Sequence, residues 1–185
     1  MIKIENTDVY GWIAAIRGAR NPLNSWNQSD TSYGTGENNV QIGPRDLKLL
    51  RHLANAGPDH GKFLRMINVT MDVTAPLYWW KECDAYKVGT VANSCSTMHK
   101  IHAKPFCMDD FSHEHLDMFG LNMMKMLVDL LEAERRVFLE HHDKKAWWQL
   151  IQLLPSSYNQ RRTVHLNYAV LRSMYHARKN HKLDE

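Results

Sequence analysis

Hydrophobic positions in this 185-residue chain recur mostly at three- and four-residue spacing, interrupted by two short stretches of alternation. Ile2 to Ile4 alternates briefly and predicts a short strand. Asp8 precedes Val9, Trp12, Ile13 and Ile16, a helical pattern that stops near Gly18 and Asn21-Pro22. Residues 24–43 are polar, carry Gly34, Gly36 and Gly43, and read as a long loop, a kind of segment that often carries function. A second helix starts at Pro44, where the missing amide proton is harmless, buries Leu47, Leu50 and Leu53, and stops at Gly57-Pro58. Leu64 to Val73 alternates and predicts a strand, and Pro76 opens a helix bearing Leu77, Trp79, Trp80 and Tyr86.

Lys87 to Met98 has no sustained apolar period and crowds small polar groups together, as loops and caps do. Asp109, Asp110 or Ser112 then caps the longest helix, whose apolar stripe is Leu116, Phe119, Met123, Leu127, Leu130, Val137 and Phe138. A shorter helix with Trp147, Trp148 and Ile151 ends before Pro155. The last helix is predicted from about Asn159 to at least His181, with continuation past Glu185 left open. With no repeat, low-complexity tract or linker, residues 1–185 read as one α+β domain of five or six helices and a small sheet.

Composition adds limits. Hydrophobic residues at 44% and charged residues at 23% are globular proportions, so disorder is not expected. A formal charge of +3 is too mild to imply nucleic acid but suits an anionic small molecule in a local pocket. Cys83, Cys95 and Cys107 are odd in number and unpaired in spacing, which predicts reduced thiols and a cytoplasmic setting. No signal-peptide pattern opens the chain. The apolar run from Leu116 to Leu131 is broken by Asp117, Asn122, Lys125 and Asp129, so no membrane span is expected.

Four groups carry candidate chemistry. Val164, Tyr168, Leu171 and Tyr175 share one face of the predicted last helix, and Arg178 continues it. That guanidinium either leaves the packed face at the helix end or meets an anion, for which its planar donor fork is suited. Thr90, Asn93 and Ser96 recur every three residues; on a helical turn they line one edge of a pocket, and otherwise they cap backbone. His99, His102 and Cys107, like His113 and His115, are partial metal sets that complete no compact zinc pattern. Nucleophile-elbow, phosphate-loop and dinucleotide fingerprints are absent. Arg161-Arg162 through Arg178-Lys179 and Lys182 outline a basic stripe for RNA or DNA, weakened because Tyr168 and Tyr175 fall on the apolar face.

Two segments carry a family resemblance. Asn68 to His99, NVTMDVTAPLYWWKECDAYKVGTVANSCSTMH, is similar to the strand, helix and signature loop of flavin-dependent thymidylate synthases. Leu154 to Glu185, LPSSYNQRRTVHLNYAVLRSMYHARKNHKLDE, resembles their closing helix, and GWIAAIRGARNP near the start is compatible with the same order. The resemblance implies the thymidylate synthase-complementing-protein-like fold, a small antiparallel sheet with long surrounding helices, assembled as a homotetramer with sites between subunits. It further implies reductive methylation of dUMP to dTMP with FAD, NADPH and methylenetetrahydrofolate, without a cysteine nucleophile.

The family signature opens with Arg-His-Arg; here its opening falls at Ala85, Tyr86 and Lys87, and its closing arginine falls near Met98. By the resemblance, Lys87, Thr90, Asn93, Ser96, Arg172 and Arg178 bind substrate, with Arg178 polarising the pyrimidine as the catalytic residue. His60, Asn93 and His181 lie by the flavin. Two other classes stay open: a non-catalytic pyrimidine-nucleotide-binding homologue, and a nucleic-acid-binding protein using the basic stripe.

Overall fold

The computed structural model describes residues 2–34 and 39–182. Gly36 of the predicted long loop and the chain end at Glu185 lie outside the described residues. In chain order the elements are β1 Lys3–Tyr10, α1 Trp12–Arg20, β2 Ser32–Tyr33, β3 Val40–Gln41, α2 Pro44–Asn55, β4 Asn68–Pro76 and α3 Leu77–Cys83. They continue with β5 Val91–Ser94, α4 Met118–His141, α5 Lys144–Gln152, β6 Asn159–Asn167 and α6 Tyr168–Arg178. Four strands form an antiparallel sheet in the order β1-β4-β6-β5, while β2 and β3 make a separate ribbon. The α+β class with a small antiparallel sheet and long helices is therefore as expected.

Several boundaries differ from the sequence reading, each for a local reason. Val9 belongs to β1, which runs to Tyr10 because Gly11, at φ +93°, turns the chain before α1 can start. A side chain at Gly11 would also collide with the Met66 carbonyl. Leu64 to Met66 forms part of a 3-10 turn, Gly61–Met66, and the strand begins only at Asn68. The cap of α4 is Asp117, whose carboxylate accepts the Gly120 amide at 2.8 Å; Asp109 and Asp110 sit in an earlier 3-10 turn instead.

The largest correction concerns the last predicted helix. Its first nine residues, Asn159–Asn167, are the strand β6, paired along its whole length with β4 from Asn68↔Asn167 to Pro76↔Asn159. Inward positions here are Gln160, Arg162, Val164 and Leu166, so two polar side chains hide the period of two. Arg162 is tolerated because its guanidinium lies 4.2 Å over the Trp80 ring and donates to Asp84 at 2.8 Å. Val164 thus lies on the sheet and shares no helical face with Tyr168.

Both central strands pass into helices without a loop: β4 into α3 at Pro76-Leu77, and β6 into α6 at Asn167-Tyr168. The antiparallel register places these exits at opposite ends of the strand pair. Both helices then pack on the same core of Val69, Val73, Ala75, Trp80, Val164 and Leu166. Asn167 fixes the second switch, its Oδ1 accepting the Ala169 and Val170 amides at 3.1 Å each. A second core joins α4, α5 and the preceding turns through Phe111, Leu131 and Leu150; a third joins α1, α2 and the 3-10 turn through Ile16, Leu50, Phe63 and Ile67.

Much of the predicted α4 stripe faces outward. Val128 and Leu131 are the buried residues of that helix, whereas Phe119, Met123, Met126, Leu130 and Val137 are exposed at three-, four- and seven-residue steps. No described helix is long and apolar enough to cross a membrane.

Candidate functional site

Three neighbouring depressions follow α6. The first, about 660 Å³, is walled by Ile2, Tyr78, Trp79, Tyr86, Met174 and Arg178, with His181 at its edge. Arg178 donates from one terminal nitrogen to Glu82 at 2.8 Å and from Nε to the Tyr86 hydroxyl at 3.2 Å. The sequence left this guanidinium either exposed or facing an anion; within the chain its anion is Glu82, at the end of α3. The Tyr86 and Glu82 bonds push Arg178 further above its ordinary value, so it is a fixed cation. Cys83 lines the same depression; burial, with Asp84 beside it, pushes its thiol up, making it a protonated packing group and a poor nucleophile.

Tyr86 also borders the second depression, about 560 Å³, lined by Arg65, Lys87, Gly89, Asn167, Ala169 and Ser173 among others. The Lys87 turn approaches β6 closely here. Gly89 has φ +79°, and a Cβ on it would stand 2.9 Å from the Asn167 side-chain nitrogen. Arg65, Ala169 and Ser173 are shared with the third depression, about 360 Å³, which adds Asn55, Arg172 and His176. Arg172 donates to the Asn55 side chain at 3.2 Å. Neither the second nor the third depression is lined by an Asp or Glu among the described residues.

The other predicted positions stand apart. Asn93 is exposed on β5, opposite Thr163. Thr90 precedes that strand with its hydroxyl oxygen buried and unpartnered among the described residues. Ser96 follows it, and its hydroxyl accepts the His99 amide at 3.0 Å, the capping alternative for this segment. The three do not share a helical turn. His60 lines a separate cavity with Pro22, Leu53 and Phe63.

In one copy, then, His60, Asn93 and His181 occupy three different places and do not converge on a flavin-sized site. The second and third depressions are lined by cations without carboxylates; within a single copy His60, Asn93 and His181 do not fit one flavin site.

Two further candidates change in the folded chain. His99 pairs with Ser96 at 2.9 Å, His102 stacks edge-on to Phe138 and Trp147, and His113 lies 2.8 Å from the Phe111 carbonyl. The described residues contain no group of three or more potential metal ligands. The basic stripe is broken: Arg161 pairs with Asp72 at 2.6 Å on one sheet face, while Arg162 turns to Asp84 on the other.

This architecture is the fold of flavin-dependent thymidylate synthases. A flavin-dependent thymidylate synthase from Helicobacter pylori, complexed with FAD and dUMP, superposes with a TM-score of 0.69 at 16% identity, covering 97% of this chain and 86% of that one. A UMP/dUMP methylase from Streptomyces cacaoi, bound with 5-Br UMP, gives 0.60 at 14% identity, covering 95% and 75%. No family model and no curated protein sequence matches the chain.

Proposed function

We propose that the chain binds a pyrimidine nucleoside monophosphate, of which dUMP is the representative, along α6. The observation that carries this reading is the juxtaposition of an aromatic-walled depression holding Arg178 with a carboxylate-free one holding Lys87 and Arg65, the two meeting at Tyr86. The planar base belongs in the first. There Trp79, Tyr78 and Tyr86 offer apolar area, and the guanidinium donors left over by Glu82 and Tyr86 reach for exocyclic oxygens. Glu82 disfavours phosphate on that side. The phosphate belongs in the second, where cations stand without acids.

Titration calorimetry with dUMP and deoxyuridine tests this. dUMP binding is expected to exceed deoxyuridine binding and to weaken as salt rises; Arg178→Ala lowers affinity for both. Equal binding of the two ligands, or binding of neither, sinks the reading.

A second, finer reading is favoured by the shared fold: reductive methylation of dUMP to dTMP using FAD, NADPH and methylenetetrahydrofolate in a homotetramer. It requires that several copies bring His60, Asn93 and His181 together, since one copy does not. Oxidation of reduced FAD that depends on added dUMP supports it. Failure to bind FAD, with dUMP still bound, leaves the non-catalytic nucleotide-binding homologue.

A further inference from the structure

The signature segment of this chain keeps one cation, Lys87, where the resembling family opens with two arginines around a histidine, and it has Met98 at the closing position. A phosphate site built from that segment alone therefore lacks the bidentate donor fork that makes arginine selective for phosphate; lysine supplies only a point charge. The fold brings a guanidinium in from elsewhere.

Arg65 lies in the 3-10 turn Gly61–Met66, immediately before the central strand β4. Its neighbours Phe63 and Ile67 are 4% and 0% exposed, so the backbone is anchored on both sides while the Arg65 side chain itself is exposed. That side chain borders both acid-free depressions: one with Lys87, Asn167 and Ser173, the other with Arg172, Ser173 and His176.

Its electrostatic state separates it from most other arginines around the sheet and the long helices. Arg20, Arg135, Arg161, Arg162 and Arg178 each pair with a carboxylate, at 2.6, 2.7, 2.6, 2.8 and 2.8 Å respectively. The Arg65 side chain has no hydrogen bond or ion pair among the described residues. A guanidinium on a fixed backbone, between two other cations and without an acid, sits in a field that draws an anion.

We infer that Arg65 is the phosphate-binding guanidinium of this chain, standing in for the arginines missing from the Ala85–Lys87 and Met98 positions. Lys87 faces the same phosphate from across the second depression, and Arg172 extends the positive field into the third. This rests on the nucleotide-binding reading for the identity of the ligand, but not for the anion itself.

The test titrates inorganic pyrophosphate and dUMP into the full chain and into Arg65→Ala, Arg65→Lys and Lys87→Ala, with unfolding curves confirming that each variant is folded. Loss of roughly 10- to 100-fold in affinity for both ligands is expected in Arg65→Ala, as when a charge-assisted hydrogen bond is removed. Partial recovery is expected in Arg65→Lys, because charge returns without the fork. Wild-type affinity for both ligands in folded Arg65→Ala overturns the inference. Arg65-dependent pyrophosphate binding without dUMP binding keeps the anion site and removes the nucleotide reading. Wild-type protein that binds neither ligand removes both.

Discussion

Asp46 is the residue on which the N-terminal part of the chain turns. It is fully buried, pairs with Arg20 at 2.6 Å, and accepts from the hydroxyls of Ser29 and Thr31, also at 2.6 Å. Burial pushes its carboxyl up, but the Ser29, Thr31 and Arg20 hydrogen bonds outweigh that and hold it at about 2. A depressed carboxyl stabilises the fold above its unfolded value of 3.8, and that stability is lost as pH falls towards 2. Asp46→Ala is expected to lower unfolding free energy by about 3–5 kcal/mol in denaturant titrations, because it strands the Arg20 charge. In Asp46→Asn, the part of acid unfolding that falls between roughly pH 4 and 2 should flatten when followed by circular dichroism; an unchanged profile refutes this assignment. None of this is visible in the sequence, where Arg20 and Asp46 are 26 positions apart. The same holds for Arg178 and Glu82, 96 apart, and for Arg65, which belongs to no motif. Sequence pointed to Arg178 by its place after an apolar face, and left its partner open.

Elements were legible where one signal dominated. α2 starts at Pro44 as expected, because proline at the first turn followed by Leu47, Leu50 and Leu53 admits little else. β6 was obscured because Gln160 and Arg162 occupy inward positions: the Gln160 side chain donates to the Cys95 carbonyl at 2.8 Å and accepts from Arg162 at 3.0 Å, while Trp80 underlies Arg162 and its indole N–H donates to the Gln160 backbone carbonyl at 2.9 Å. Local pattern cannot report a partner 80 residues away. The strand-to-helix switch at Asn167 is the element-scale feature most open to test. Asn167→Ala removes the one side-chain oxygen that accepts both the Ala169 and the Val170 amides at the start of α6, and is expected to lower stability by about 1 kcal/mol. It should also raise hydrogen exchange at Ala169 and Val170 selectively; uniform change across the chain would mean that the cap has no local role.

At the scale of the whole molecule, α4 carries two apolar faces and the described residues cover one. Phe119, Met123, Met126 and Leu130 are between 44% and 74% exposed, a continuous outward stripe of the kind that packs against another helix. Self-association through this stripe is expected. Phe119→Glu with Met126→Glu should shift the mass measured by light scattering towards the monomer, and a monomeric wild-type chain refutes it. The architecture itself was largely legible from sequence, because its class follows from how apolar periods succeed one another, while its cavities depend on which distant side chains meet. The direct passage of β6 into α6 has one more consequence. There is no loop there to act as a hinge, so α6 is phased to the sheet like teeth on a shared axle. One residue inserted at the junction would rotate every later α6 side chain by about 100° and carry Arg172 and Arg178 out of their depressions together. What α6 presents to its depressions is thus changed by exchanging side chains, and changes of chain length at that point are closed to it.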